Sequence, residues 1–111
     1  MVDPEAEPGM GPIVGSRSIE AVHPDGRAVS LTIQLGSPRT DPAMDDAWAC
    51  PCRILGLGDA PVWRLYGVDS LQAVAQAVEL LRRVLRAEAE EHGWTFTWGG
   101  EPGLAMADVL W

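Results

Sequence analysis

The residues with the most chemical potential are two cysteines one residue apart, Cys50 and Cys52, and two histidines, His23 and His92. Thiolate and imidazole are the donors of a tetrahedral zinc centre, so these four define a Cys2His2 candidate. The spacing argues against it. Structural zinc sites place at least two residues between paired cysteines, whereas Pro51 alone separates these. A redox dithiol would present Cys-x-x-Cys at a helix start, where the thiolate is stabilised. A bridge between residues i and i+2 demands unusual geometry. The pair therefore reads as two reduced thiols packed as small hydrophobes, with no metal and no cofactor.

Carboxylates come next. Asp41, Asp45 and Asp46 cluster in a stretch with no apolar pattern, and acid pairs can perform acid–base work. No nucleophile or ordered histidine accompanies them, so a solvated acidic loop is the expectation. Gly99-Gly100 leads into Glu101-Pro102 with no lysine, which does not make a phosphate cradle. Ser70 follows Asp69 with no histidine nearby and reads as part of a helix cap, not as a nucleophile. No catalytic residue is assigned, and the chain reads as a non-enzyme.

Charge narrows the partner classes. The 111 residues carry a net charge of −8, and every basic residue is Arg, with no Lys and no Asn. That bias suits a GC-rich bacterial coding sequence. Isolated arginines in an acidic field cannot supply the counterion-releasing surface that nucleic acid demands. The same sign disfavours an anionic membrane. No apolar run approaches membrane-spanning length, and the acidic first twelve residues lack the basic start of a secretory signal. A cytoplasmic location is expected. Residues 87–111 hold five acids and no Arg. Three of them, Glu88, Glu90 and Glu91, crowd a helix end where the dipole favours cations. Such local conflicts mark functional surfaces, here an acidic patch for a basic partner; simple solubility charge is the other explanation.

Five of the seven aromatic residues are Trp. Trp94, Phe96 and Trp98 alternate along one strand face and are expected in the core. Trp48, Trp63 and Trp111 have no assigned place, and a partly exposed Trp would serve as a binding anchor.

The positioning elements follow from periodicity. Residues 1–11 read as a flexible acidic tail and 12–111 as one domain. Residues 13–22 and 27–35 form a hairpin across the turn His23-Pro24-Asp25-Gly26; Val29, Leu31 and Ile33 lie on one side of the second strand. Residues 37–47 read as a loop. The third strand, 48–55, places Trp48, Cys50, Cys52 and Ile54 on one face, and Pro51 requires an edge position or a bulge. Residues 61–67 are a fourth strand with Trp63 and Leu65 on one side. Asp69 caps a long helix, with Gln72 completing a capping box. The helix buries a stripe of Leu71, Val74, Ala75, Val78, Leu81 and Leu85 and stops at Gly93. A fifth strand, 94–98, and a short helical end at 104–111 complete the chain.

The Trp48-x-Cys50 strand and the helix start Gly67-Val68-Asp69-Ser70-Leu71-Gln72-Ala73 resemble an uncharacterised family of small bacterial domains, a domain of unknown function. The resemblance spans Trp48–Trp98, about half the chain. It implies strands followed by a covering helix and transfers no catalytic residue.

The expected architecture is α+β: an antiparallel sheet of four to five strands with one long helix, about 69–92, on one face. The opposite face carries Val62, Arg64 and Tyr66, a mix that fits a partner or homodimer contact. The chain thus reads as a small acidic non-enzymatic protein-binding module, in its finest form an immunity-type neutraliser of a basic protein, with Glu88, Glu90, Glu91, Tyr66 and Arg64 as partner-binding residues. The alternatives are a small-molecule or metal-binding protein using the Cys50/Cys52 face, and a homo-oligomer with a site at its interface, in one form a small enzyme.

Overall fold

The period-two alternation at residues 13–22 and 28–36 produces the hairpin of β1 (Ile13–Val22) and β2 (Ala28–Gly36) in the computed structural model, which describes residues 9–97. The two strands pair antiparallel with Ile19 opposite Leu31 and Arg17 opposite Ile33. Their turn is held by Asp25. Its carboxylate accepts from the Arg27 N–H at 2.9 Å and from Arg27 Nε at 2.8 Å, while Gly26 takes a φ of +94°, a conformation that favours glycine.

Then follow β3 (Arg39–Asp41), a single 3-10 turn (Pro42–Met44), β4 (Ala47–Leu55), β5 (Trp63–Gly67), the helix α1 (Ser70–His92) and β6 (Thr95–Thr97). The sheet order is β3-β4-β2-β1-β6, with β5 on the other side of β4. Six strands are therefore present among the described residues, all antiparallel, and α1 packs on one face, the α+β architecture expected. The stretch 37–47 is more ordered than a loop. Asp41 Oδ1 accepts from the Ala43 N–H at 3.0 Å and caps the 3-10 turn, and Asp45 and Asp46 take left-handed φ values of 54° and 58°. Short Asp side chains tolerate that region.

β4 is the hub. Residues Cys52–Leu55 pair with β2, Ala47–Ala49 with β3, and Trp48–Cys52 with β5. Pro51 is thus neither on an edge strand nor at a bulge. It lies opposite Arg64 on one side, and on the other falls in the gap between the pairs Cys52–Leu35 and Ala49–Arg39. Proline lacks a backbone N–H, and the break in the ladder spares it a donor it cannot supply. Gly36 abuts this point: a Cβ there would collide with the Pro51 ring and the Met10 carbonyl. Met10 itself is fully buried, so the packed structure reaches into the segment expected to be tail.

The sheet face under α1 supplies Ile19, Ala21, Leu31, Ile33, Cys50, Cys52, Ile54 and Phe96 to the core. Asp69 caps the helix as expected, its Oδ1 accepting from the Gln72 N–H at 2.7 Å. The Gln72 side chain reaches back to the Val68 N–H at 2.7 Å, one residue beyond the cap. At the other end Gly93 takes a φ of 75° and its N–H bonds the Ala89 carbonyl at 3.0 Å. The buried stripe differs from the expected one. It runs Ala73, Ala77, Leu81 and Leu85, whereas Leu71 is 77% exposed and Ala75 is exposed. The cause is close approach. Gly67 lies so near the first turn that an added Cβ would sit 2.6 Å from the Ala73 nitrogen, and only alanine-sized groups fit beneath the helix there. Trp94 is half-buried and Phe96 buried. Trp98, Gly99-Gly100, residues 104–110 and Trp111 lie outside the described residues.

Candidate binding face

Because α1 covers one face of the sheet, the opposite face of β3, β4 and β5 is where side chains meet solvent. Register determines which ones meet. Arg39, Ala49 and Tyr66 form one cross-strand row, Asp41 pairs with Ala47 on one flank, and Pro51 pairs with Arg64 on the other. Alternation puts all of these on the side away from Cys50 and Cys52. The small residues Ala49 and Pro51 are buried and form a floor; Arg39 and Arg64 are exposed and rise on either side. The result is an open cavity of about 420 Å³ whose rim is completed by Gly9, Gly11, Thr40, Asp41 and Pro42. A volume of this order matches small-ligand sites, which run from roughly 300 Å³ upward.

Its polar groups are held in place. Tyr66 Oη donates to Asp41 Oδ2 at 3.0 Å; that bond, with burial and the Asp41 charge, pushes the Tyr66 phenol up from 10.0. The Arg39 guanidinium lies against Gly11, where any Cβ would strike it. Among the described residues, Arg27 pairs with Asp25, Arg82 and Arg83 with Glu79, and Arg53 with the Gln34 amide at 2.7 Å. Neither Arg39 nor Arg64 has a hydrogen-bond or ion-pair partner among the described residues. Tyr66 itself lines a neighbouring, more open hollow with Met44, Asp46, Val68 and Gln72.

The structure splits the five residues singled out from the sequence. Arg64 and Tyr66 belong to this face, beside the start of α1. Glu88, Glu90 and Glu91 lie at the other end of the helix, about 25–30 Å away at 1.5 Å per residue. There Glu88 approaches His92 Nε2 at 3.9 Å, and Gly93 packs against Pro24 of the hairpin turn. Arg39 and Ala49 were not singled out by their sequence context. The one available signal was the alternation of Arg64 and Tyr66 opposite an apolar strand face.

The cysteine face is closed. Cys50 and Cys52 are both fully buried under α1, and the Cys50 thiol donates to the Gly36 carbonyl at 3.6 Å. Desolvation pushes Cys50 up to about 11; desolvation, with the neighbouring Cys50, pushes Cys52 up to about 12. His23 is elsewhere, at the hairpin turn, edge-on to Trp94 with ring centroids 5.0 Å apart, and His92 is exposed. The four candidate zinc donors do not converge, and no group of three or more His, Cys, Asp or Glu residues among those described is placed to hold a metal. No helix among the described residues is long and apolar enough to cross a membrane.

Among the described residues these observations define an α+β sheet domain with one α-helix packed on one face of the sheet. More particularly, the chain belongs to the family described as Domain of unknown function (DUF6968), whose model matches residues 15–107. No curated protein and no solved structure matches it significantly.

Proposed function

We propose that this protein is a non-enzymatic protein-binding module of the cytoplasm, and that it receives its partner on the open face of β3, β4 and β5. The observation that carries this reading is the cavity lined by Asp41, which Tyr66 holds from beside it, and by two guanidiniums, Arg39 and Arg64, that have no partner among the described residues. Arg and Tyr are the residues that most often anchor interfaces. The two thiols are buried, which raises their pKa values, and His23 is held by Asp25 and Trp94. The Cys50/Cys52 alternative has little support, since a ligand on that face would have to displace α1.

The finer reading, an immunity-type neutraliser of a basic protein, rests on Glu88, Glu90 and Glu91. Their helix end is anchored by the contact of Gly93 with Pro24, and Glu90 and Glu91 are exposed. The test immobilises the full chain and exposes it to extract of the native host. A protein retained by the wild type and lost from an Arg64→Glu/Tyr66→Ala variant supports the open face as the interface. Slower association of that partner with a Glu88→Gln/Glu90→Gln/Glu91→Gln variant, with a flatter salt dependence, supports the basic-partner form. Retention of the same proteins by all three chains refutes both. Self-association abolished by Arg64→Glu/Tyr66→Ala would make the partner a second copy.

A further inference from the structure

We infer that the cavity between β3 and β5 is a carboxylate-binding site, and that the group it takes is an acidic side chain of the partner protein. This rests on the reading of the open face as the interface and adds the chemistry it recognises.

The spacing suits one small planar anion. Arg39 and Arg64 stand on strands either side of β4, opposite Ala49 and Pro51 respectively. Strand spacing of about 4.8 Å and a rise of about 3.3 Å per residue put their Cα atoms about 12 Å apart. Two arginine side chains span that gap from both ends, and the alanine between them leaves the centre empty. A guanidinium presents a fork of N–H donors that matches the two oxygens of a carboxylate.

Charge selects the anion further. In a chain with 16 acids and 8 arginines, Arg39, Arg64 and the exposed helix residue Arg86 have no partner among the described residues; only Arg39 and Arg64 share a cavity, and Asp41 on the same rim is the obvious neutraliser. It is withheld from them. Its Oδ1 accepts from the Ala43 N–H at 3.0 Å and its Oδ2 from Tyr66 Oη at 3.0 Å. Both oxygens are thus already engaged, and Asp41 makes no ion pair with either arginine among the described residues. Two guanidiniums and one carboxylate leave the rim with a single positive charge, which balances a carboxylate and under-balances a phosphate dianion. Tyr66 is accordingly a positioning residue: it holds Asp41 back.

The test titrates the full-length chain with tetraglutamate, tetraglutamine and inorganic phosphate, each followed by backbone amide NMR. Tetraglutamate should shift Arg39–Asp41, Ala49 and Arg64, while tetraglutamine should not. Arg39→Gln and Arg64→Gln should each weaken tetraglutamate about tenfold, the scale of one charge-assisted bond; both residues are exposed, and the amide spectrum reports whether the fold is kept. Tyr66→Phe should weaken it severalfold by freeing Asp41, and the Tyr66→Phe/Asp41→Asn double variant should restore binding, which a merely structural Tyr66 would not. Equal binding of tetraglutamine, tighter binding of phosphate, or indifference to both arginine substitutions overturns the inference. If tetraglutamate binds as described but the chain captures no partner, the interface reading fails and the carboxylate site stands. If a partner is captured equally by wild type and by Arg39→Gln/Arg64→Gln, the carboxylate site fails alone.

Discussion

Leu71 and Leu81 are ten residues apart on one helix, both leucines, and both fall on the stripe read from apolar spacing; truncating each to alanine separates periodicity from packing. Leu81 is 2% exposed, at the middle of α1. Removing three carbons from it forfeits about 0.8 kcal/mol each, or about 2.5 kcal/mol of transfer free energy. A residual void adds to this. A groove of about 250 Å³ lined by Ile33, Leu35, Val78 and Leu81 opens beside the site, so much of the vacated space joins solvent, and the expected cost of Leu81→Ala stays near 2–3 kcal/mol. Leu71 is 77% exposed, and only about a quarter of the same transfer term applies, roughly 0.5 kcal/mol. The better helix propensity of alanine offsets part of it. Urea unfolding followed by far-UV circular dichroism measures both. At roughly 4–8 °C per kcal/mol for a domain of this size, Leu81→Ala should also lower the Tm by about 10–20 °C and Leu71→Ala by no more than about 4 °C. Equal losses from the two substitutions would refute the placement of α1, as would a neutral Leu81→Ala.

Three further outcomes test the same framework. Asp69→Ala removes the acceptor of the 2.7 Å bond from Gln72 N–H and should cost about 1 kcal/mol in the same urea titration. Gly67→Ala has no φ penalty but drives a methyl to 2.6 Å from the Ala73 nitrogen and 2.9 Å from Gln72; overpacking of about 1–3 kcal/mol is expected, and an unchanged midpoint would mean that α1 sits farther from β5. The cysteines set an alkaline limit. Their native values are raised from 9.0 to about 11 and about 12, so the unfolded chain loses its thiol protons first. The stabilisation is complete below pH 9 and declines as pH rises through 9 toward 11–12. Urea midpoints across pH 8–10.5 should fall in the wild type and fall less in a Cys50→Ala/Cys52→Ala variant; parallel curves would contradict the burial of both thiols.

What the sequence by itself determined was local. Asp69 and Gln72 on one side and Gly93 on the other bounded the helix, because capping satisfies backbone groups within a few residues. The alternation in 28–36 and in 47–55 set which side chains share a face, because strand side chains point to opposite sides in turn. Tertiary structure alone decided which of those faces and stripes would be used. The helix rolled onto Ala73 and Ala77, away from Leu71, because Gly67 on β5 comes within reach of its first turn; hydrophobicity along the chain ranks leucine above alanine and carries no information on that gap. β3 was hidden in a Pro- and Asp-rich stretch whose order comes from pairing with Ala47–Ala49 and from the two bonds to Asp41. Arg39 and Arg64, 25 residues apart, meet because β4 takes β3 on one side and β5 on the other. Such a meeting depends on strand order and register, which long-range hydrogen bonds and burial set together, and no single stretch of the chain encodes it.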